Sequence, residues 1–281
     1  MTMITDIIAA GTTRSLEFFP PRTPEAEDQL HDTLDELRDL DPSFASVTYG
    51  ALGSTRSRTR DLVVELNRRH RFPTMAHLTC VGHTRAELAE LLDDYARAGV
   101  RNILALGGDP PDGRPPAEGE FAYAAELVEV IAQHPAEFCV GVAAHPEGHP
   151  RSADLAGDRR HLADKLGAAG FAVTQFFFEV DHYLRLVDEL AALGCHRPVI
   201  PGVMPVVSVA GLRRMATMNG TEIPGWLAGR LDAAREEDVP RIGAEVAGDL
   251  AERLLAAGAP GVHLYTLNRA AAVREVWPRL G

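Results

Sequence analysis

Ser15-Leu16-Glu17-Phe18-Phe19 runs into the turn Pro20-Pro21-Arg22, and this stretch separates two architectures for an alternating α/β chain. The apolar and aromatic run reads as a strand bounded by turn residues. A doubly wound dinucleotide-binding sheet would carry Gly-x-Gly-x-x-Gly after its first strand, to bring backbone against a pyrophosphate. A diproline turn stands there instead. The carboxylate of Glu17 also falls inside the run, among Leu16, Phe18 and Phe19, where burying a charge is costly.

Working outward, seven further strand-like runs follow, at 44–49, 74–79, 102–106, 138–143, 171–177, 198–203 and 261–267. The first seven starts recur at roughly thirty residues, the length of one βα unit. Between them lie stretches with helical apolar faces, such as Leu30, Leu34 and Leu37, or Leu88, Leu91, Leu92 and Tyr95. The reading is a (βα)8 TIM barrel formed as a single domain over 1–281. The interval before the last strand is about twice as long and is broken at 219–224, so an extra helix is placed there. The turn-rich segment 109–119 follows a strand and reads as a mobile loop at the active-site end.

Composition narrows the function. The 281 residues are 46% hydrophobic, enough for one large core. A formal charge of −12 argues against nucleic acid or an anionic membrane as partner. Basic charge is almost all arginine, with Lys165 the only lysine. Cys80, Cys139 and Cys195 have neither zinc-ligand nor disulfide-framework spacing. The first eleven residues lack the basic and apolar regions of a signal peptide, and no run reaches the ~20 apolar residues of a membrane span. A cytoplasmic protein is expected; a homo-oligomer is compatible with the sequence.

In such a barrel the chemistry gathers at the C-terminal ends of the strands. Those tips carry Glu17, Thr48 with Tyr49, His77 with Thr79, Asp109, His145 with Glu147 and His149, Gln175, and Tyr265 with Asn268. A carboxyl buried in an apolar strand is expected to have a raised pKa, which suits Glu17 to general acid work. The alternative is an ion pair with a barrel arginine. Asp109, after Gly107-Gly108, serves either a site or a turn before Pro110-Pro111. Taken alone, His77 reads as a core histidine and Gln175 as a packed amide or as part of a shaped pocket. His145, Glu147 and His149 lie in a Pro/Gly loop rather than on one helical face, so no metal site is assigned. Arg56, Arg58 and Arg60 read as a solvated face.

Together the tips resemble the methylenetetrahydrofolate reductase family across nearly the whole chain. The carrying motifs are Leu16-Glu17-Phe18-Phe19-Pro20-Pro21-Arg22, Ser46-Val47-Thr48-Tyr49-Gly50-Ala51, His77-Leu78-Thr79-Cys80, Gly108-Asp109, Pro146-Glu147-Gly148-His149-Pro150, Thr174-Gln175-Phe176-Phe177-Phe178, Ile200-Pro201-Gly202-Val203-Met204-Pro205 and Tyr265-Thr266-Leu267-Asn268-Arg269. The resemblance implies reduction of methylenetetrahydrofolate to methyltetrahydrofolate by hydride from a reduced nicotinamide dinucleotide. NADH is expected, with NADPH as the alternative. It implies Glu17 as the acid that protonates the anilinic nitrogen, and Asp109 as the carboxylate that stabilises the cation then formed. Gln175, Thr48 and Tyr265 are the implied substrate contacts. His77, Gly108, His145, His149 and Lys165 are the implied cofactor contacts.

The chain departs from the family's pattern where FAD is commonly held. Gly107 stands in place of a common Arg, His145 in place of a common Tyr, and Ala163-Asp164-Lys165 where a more basic group is usual. A pyrophosphate needs donors and positive charge. Each lost charged contact costs about 1.5–3 kcal/mol, so several together weaken binding by powers of ten. Gly211 and Met215 stand where Gln and Phe are common. The expectation is a flavin-independent member; the alternative is an FAD-dependent reductase. Two other readings are a folate-dependent methyl transferase, which lacks its Asp-x-His-x-x-Gly signature here, and a folate-binding subunit without catalysis.

Overall fold

The computed structural model describes residues 2–21, 23–49, 53–69, 73–108 and 120–281, with the side chains of 53–58 and 69 outside that description. Asp109 and the 109–119 segment, together with the side chains of Arg56 and Arg58, fall outside it.

Eight parallel strands close on themselves in sequence order: β1 Thr13–Phe18, β2 Phe44–Val47, β3 Thr74–Thr79, β4 Asn102–Leu106, β5 Cys139–Ala144, β6 Phe171–Phe176, β7 Val199–Val203 and β8 Gly261–Tyr265. Each lies within two residues of its expected start. The side-chain alternation of a strand divides the barrel into two layers. Leu16, Phe18, Val47, Leu78 and Leu264 point outward into a core shared with the helices. Phe44, Met75, Leu104, Phe171 and Ile200 point inward and fill the N-terminal half of the barrel.

The N-terminal segment is a short helix, α1 Ile4–Ala10, that closes the bottom of the barrel. Ile4 is fully buried against the inward apolar layer, and its N–H donates to Asn102 Oδ1 at 2.9 Å. The connecting helices are α2 Pro24–Glu36, α3 Gly53–Arg69, α4 Arg85–Ala98, α5 Ala124–Ala132, α6 Leu155–Ala168 and α7 Val180–Ala192. Local chemistry sets their starts. Thr84 and Glu87 form a reciprocal capping box on α4, and the Asp154 carboxylate accepts from Gly157 N at 2.6 Å on α6.

Between β7 and β8 the described chain holds three helices, α8 Val209–Asn219, α9 Gly225–Asp232 and α10 Val239–Ala256, before α11 Ala270–Val276 ends the fold. The sequence reading placed two there, because the turn at 233–238 carries acidic residues rather than Gly or Pro and hides a second break. α8 and α9 pack a separate apolar cluster, with Leu212, Leu227 and Leu231 against Phe176 and Phe178. That cluster stands over the β6–β7 side of the barrel mouth. Among the described residues no helix is long and apolar enough to cross a membrane.

Candidate active site

The lower apolar layer gives way to polar side chains halfway up the barrel. Ser15, Ser46 and His263 have no exposed surface, and Phe44 stacks beneath the His263 ring at 5.8 Å. Parallel register sets Ser15 opposite His263, and Glu17 opposite both Ser46 and Tyr265. Glu17 therefore projects into the barrel one row above His263, with 13% of its side chain exposed.

Three groups meet Glu17 Oε2: His77 Nε2 at 3.3 Å, His263 Nε2 at 3.4 Å and the Ser46 hydroxyl at 3.4 Å. Ser46 Oγ also lies 3.1 Å from His263 Nε2. On the far side of that ring, Ser15 Oγ lies 2.7 Å from Nδ1 and donates to Val262 O at 3.3 Å. The ring thus bridges Ser15 on one side and Ser46 with Glu17 on the other.

The carboxyl of Glu17 is not the raised acid its strand alone suggests. Burial pushes it up, but the charge of His77, the hydrogen bond and charge of His263, and the hydrogen bond from Ser46 outweigh burial and hold it below the usual carboxylate range. Burial pushes His77 itself down to about 4 against the pull of Glu17. Near neutral pH the free protein thus holds Glu17 as a carboxylate, and the charge of His77 bears on it only as that ring takes up a proton at acid pH. No arginine ion pair with Glu17 occurs among the described residues.

Tyr265 is held beside this cluster by an irregularity in the sheet. The β6–β7 register shifts between Val173 and Phe176, and Gly202 N donates to Thr174 Oγ1 at 2.9 Å. The Thr174 carbonyl, released from the ladder, accepts the Tyr265 hydroxyl at 2.7 Å. Gly202 is required there, since an added Cβ would lie 2.3 Å from Thr174 O and 2.7 Å from the Tyr265 ring. The hydroxyl of Tyr265 is thereby occupied, so the residue offers the edge and face of its ring rather than a free donor.

Thr48 extends β2, its N–H donating to Phe18 O at 2.9 Å. Gly108, with φ 86°, passes so close to Thr79 that a Cβ would lie 2.9 Å from Thr79 Cβ. Gln175 Oε1 and Asn219 Nδ2 are 3.1 Å apart, and the surrounding hollow is lined by His145, Glu147, Phe176 and Thr221. Gln175 is therefore neither an isolated packed amide nor a free one.

The loop after β5 is pinned from below by Arg159, which only the structure reveals. Its buried guanidinium donates to His145 O at 2.9 Å and Pro146 O at 2.6 Å, and pairs with Asp158 at 2.9 Å and Glu189 at 2.7 Å. His145 and His149 meet edge to face at 4.5 Å, and burial, then His149, pushes His145 down to about 3. Glu147 turns away to His182 Nδ1 at 3.1 Å and Glu222 N at 3.2 Å. The three groups do not converge as metal ligands. Lys165 Nζ donates to Ala143 O at 3.3 Å, so it is tied to β5 backbone, while Asp164 is exposed. Arg60 pairs with Asp94 at 2.9 Å and Asp61 at 3.3 Å, in keeping with a solvated charged face.

A family model described as methylenetetrahydrofolate reductase matches residues 3–281. Over 272 residues the chain is 38% identical to 5,10-methylenetetrahydrofolate reductase of Pectobacterium carotovorum subsp. carotovorum, covering 95% of this chain and 89% of that one. It is also 38% identical over 270 residues to the protein of that name from Escherichia coli strain K12, with 95% and 90% covered. Among solved structures, an uncharacterized Clostridium thermocellum protein that binds two copies of 5-methyl-5,6,7,8-tetrahydrofolic acid shares the fold. Its TM-score is 0.69 at 16% identity, covering 99% of this chain and 96% of that one.

Proposed function

The chain belongs to the methylenetetrahydrofolate reductase family, and from that premise we propose that it reduces methylenetetrahydrofolate to methyltetrahydrofolate in the mouth of this barrel, with Glu17 as proton donor. The observation that carries the proposal is the Glu17 carboxylate held inside a closed barrel, with His77, His263 and Ser46 at 3.3–3.4 Å. The bridging methylene is bound by two nitrogens and accepts hydride only after one C–N bond opens. Glu17 gives its proton to the anilinic nitrogen, that bond breaks, and the remaining nitrogen forms a cationic iminium with the methylene carbon. Hydride capture at that carbon completes the methyl group, and solvent returns the proton to Glu17.

The carboxylate of the free protein becomes the required acid when folate covers the mouth. Excluding water removes solvation from Oε2, which raises the affinity of Glu17 for a proton. A protonated Glu17 fits the same cluster, since its O–H can donate to His263 Nε2 when that nitrogen carries no hydrogen. Gln175 and Asn219 present an amide pair to the pterin edge, and Tyr265 and Thr48 bound the pocket. Asp109 is proposed to lie close enough to stabilise the iminium.

A reduced nicotinamide dinucleotide, NADH or in its place NADPH, supplies the hydride. Its proposed contacts are His77, Gly108, His145, His149 and Lys165. The fit is supported at His77, which is buried beside Glu17 at the barrel mouth. Direct transfer without flavin is the reading favoured by Gly107 and by His145, which stand in place of the family's common Arg and Tyr. A second reading has FAD as hydride relay in the same mouth. An absorbance spectrum of the purified protein, followed by nicotinamide oxidation with methylenetetrahydrofolate and no added flavin, separates them. The direct route predicts no flavin absorbance and methyltetrahydrofolate formed in step with nicotinamide oxidised. A bound yellow chromophore, or activity that requires added FAD, establishes the relay instead.

A further inference from the structure

We infer that Glu147 is a positioning residue for the folate pocket, tying the 219–222 turn at the end of α8 to the β5–α6 loop and so holding Asn219 against Gln175. The inference rests on the reductase reading above and deepens it at the pterin end of the site. Glu147 stands at a strand tip with 14% of its side chain exposed. Its Oε1 accepts from Glu222 N at 3.2 Å and lies 3.1 Å from His182 Nδ1 in the first turn of α7. One carboxylate oxygen thus joins three segments that are far apart in the chain. Burial pushes this carboxyl up, against the Glu222 N–H and the charge of His182. A carboxylate drawn this far out of water is costly unless its partners hold it.

The two sides of this tie are held differently. The loop that carries Glu147 is fixed without it: Arg159 donates to His145 O and Pro146 O, and Asp158 Oδ1 accepts from His149 N at 3.2 Å. The turn meets the barrel rim by single hydrogen bonds. Past the left-handed Gly220 at φ 69°, Thr221 Oγ1 donates to Phe176 O at 3.2 Å, and Glu222 N reaches Glu147. Gly220 passes so near the loop that an added Cβ would lie 2.9 Å from Pro150 Cγ. At the head of the turn stands Asn219, whose Nδ2 donates to Gln175 Oε1 at 3.1 Å. Losing the Glu147 tie therefore loosens the turn and its Asn219, while Arg159 and Asp158 keep His145 and His149 in place. The consequence falls on the folate and not on the nicotinamide.

The test is steady-state kinetics with each substrate varied in turn, on wild type, Glu147→Asp, Glu147→Gln, and the same two variants in an Asn219→Ala background. Aspartate keeps the charge but is one carbon too short to reach Glu222 N, whereas glutamine keeps the reach and gives up the charge. Glu147→Asp is expected to raise KM for methylenetetrahydrofolate roughly 5- to 10-fold, with kcat and KM for the nicotinamide within about twofold of wild type. Glu147→Gln is expected to stay near wild type. With Asn219 already alanine, Glu147→Asp is expected to add little, because the two act through one contact. A wild-type folate KM in Glu147→Asp overturns the inference. So does a Glu147→Gln that is the more impaired of the two, which marks a role for the His182 ion pair instead. A fully additive rise in the double variant, or a rise in both KM values together, also overturns it, as a general loosening of the mouth. Each of these results leaves the reductase reading standing. Wild-type protein that forms no methyltetrahydrofolate overturns that reading and the inference with it.

Discussion

His263 Nε2 lies 3.4 Å from Glu17 Oε2 across the seam where the last strand meets the first, although the two residues stand 246 positions apart. His263 does not contact solvent, and Ser15 Oγ lies 2.7 Å from its Nδ1 on the side away from Glu17. It is a positioning residue for the acid, because its hydrogen bond and charge hold the Glu17 carboxyl down. His263→Gln removes the imidazole and keeps an amide. The pH profile of kcat/KM is expected to show the limb that reports Glu17 moved to higher pH, since the acid form then persists further. A profile superimposable on that of wild type contradicts the role.

His145 and His77 are both buried neutral, with pKa values pushed from the usual 6.5 to about 3 and about 4. Unfolding exposes them to water and lets each bind a proton between those limits, so the unfolded state gains protons the native state refuses. Stability therefore falls as pH is lowered from about 6.5 towards 4, by about 1.4 kcal/mol per pH unit for each such group. Urea unfolding of His145→Asn across that range is expected to lose one group's share of the slope. An unchanged slope shows that His145 protonates in the native state as well.

Gly202→Ala places a methyl 2.3 Å from Thr174 O and 2.7 Å from the Tyr265 ring. Neither the bulged strand nor the ring can yield without losing the Tyr265–Thr174 hydrogen bond. The expected cost is about 1–3 kcal/mol of stability, read as a lowered urea midpoint with an unchanged slope. KM for the folate is expected to rise with it, because Tyr265 bounds that pocket. A stable variant with wild-type KM would show the strand tolerates the extra carbon.

Asn219→Ala leaves the Gln175 amide without its protein partner at 3.1 Å. KM for methylenetetrahydrofolate is expected to rise by roughly tenfold, the worth of about 1.4 kcal/mol, while KM for the nicotinamide stays put. Steady-state kinetics with each substrate varied in turn makes the distinction. A rise confined to the nicotinamide places Gln175 on the other side of the site.

The eight strands were legible because short apolar and β-branched runs recur at the spacing of a βα unit, and within each strand side chains alternate between two faces, as Leu16 and Phe18 outward against Ser15 and Glu17 inward show. His263 was not singled out in the sequence, although the same alternation reaches it. It stands two residues before Tyr265 and shares its face, and Ser46 lies likewise between Phe44 and Thr48. What a strand cannot reveal is who stands opposite. The direction of the Glu17 pKa depends on β2, β3 and β8 closing around β1, so burial was visible and its compensation was not. Arg159 was hidden for another reason. In the run Asp158-Arg159-Arg160 it looks like solvated helix surface, yet its side chain is 3% exposed and holds the loop under His145. Arg151 stands 44 residues beyond Gly107, yet an added Cβ on Gly107 would lie 3.9 Å from its guanidinium, a relation that no local pattern encodes.

Glu17→Gln tests the proton-donor role most directly, with methylenetetrahydrofolate turnover measured by methyltetrahydrofolate formed and folate affinity measured by calorimetry on the same preparation. The amide keeps the shape of the carboxyl and cannot deliver its proton. Turnover is predicted to fall roughly 10²- to 10⁴-fold, with folate affinity within a few-fold of wild type. Glu17→Gln protein that forms methyltetrahydrofolate at the wild-type rate contradicts the assignment of Glu17 as the acid.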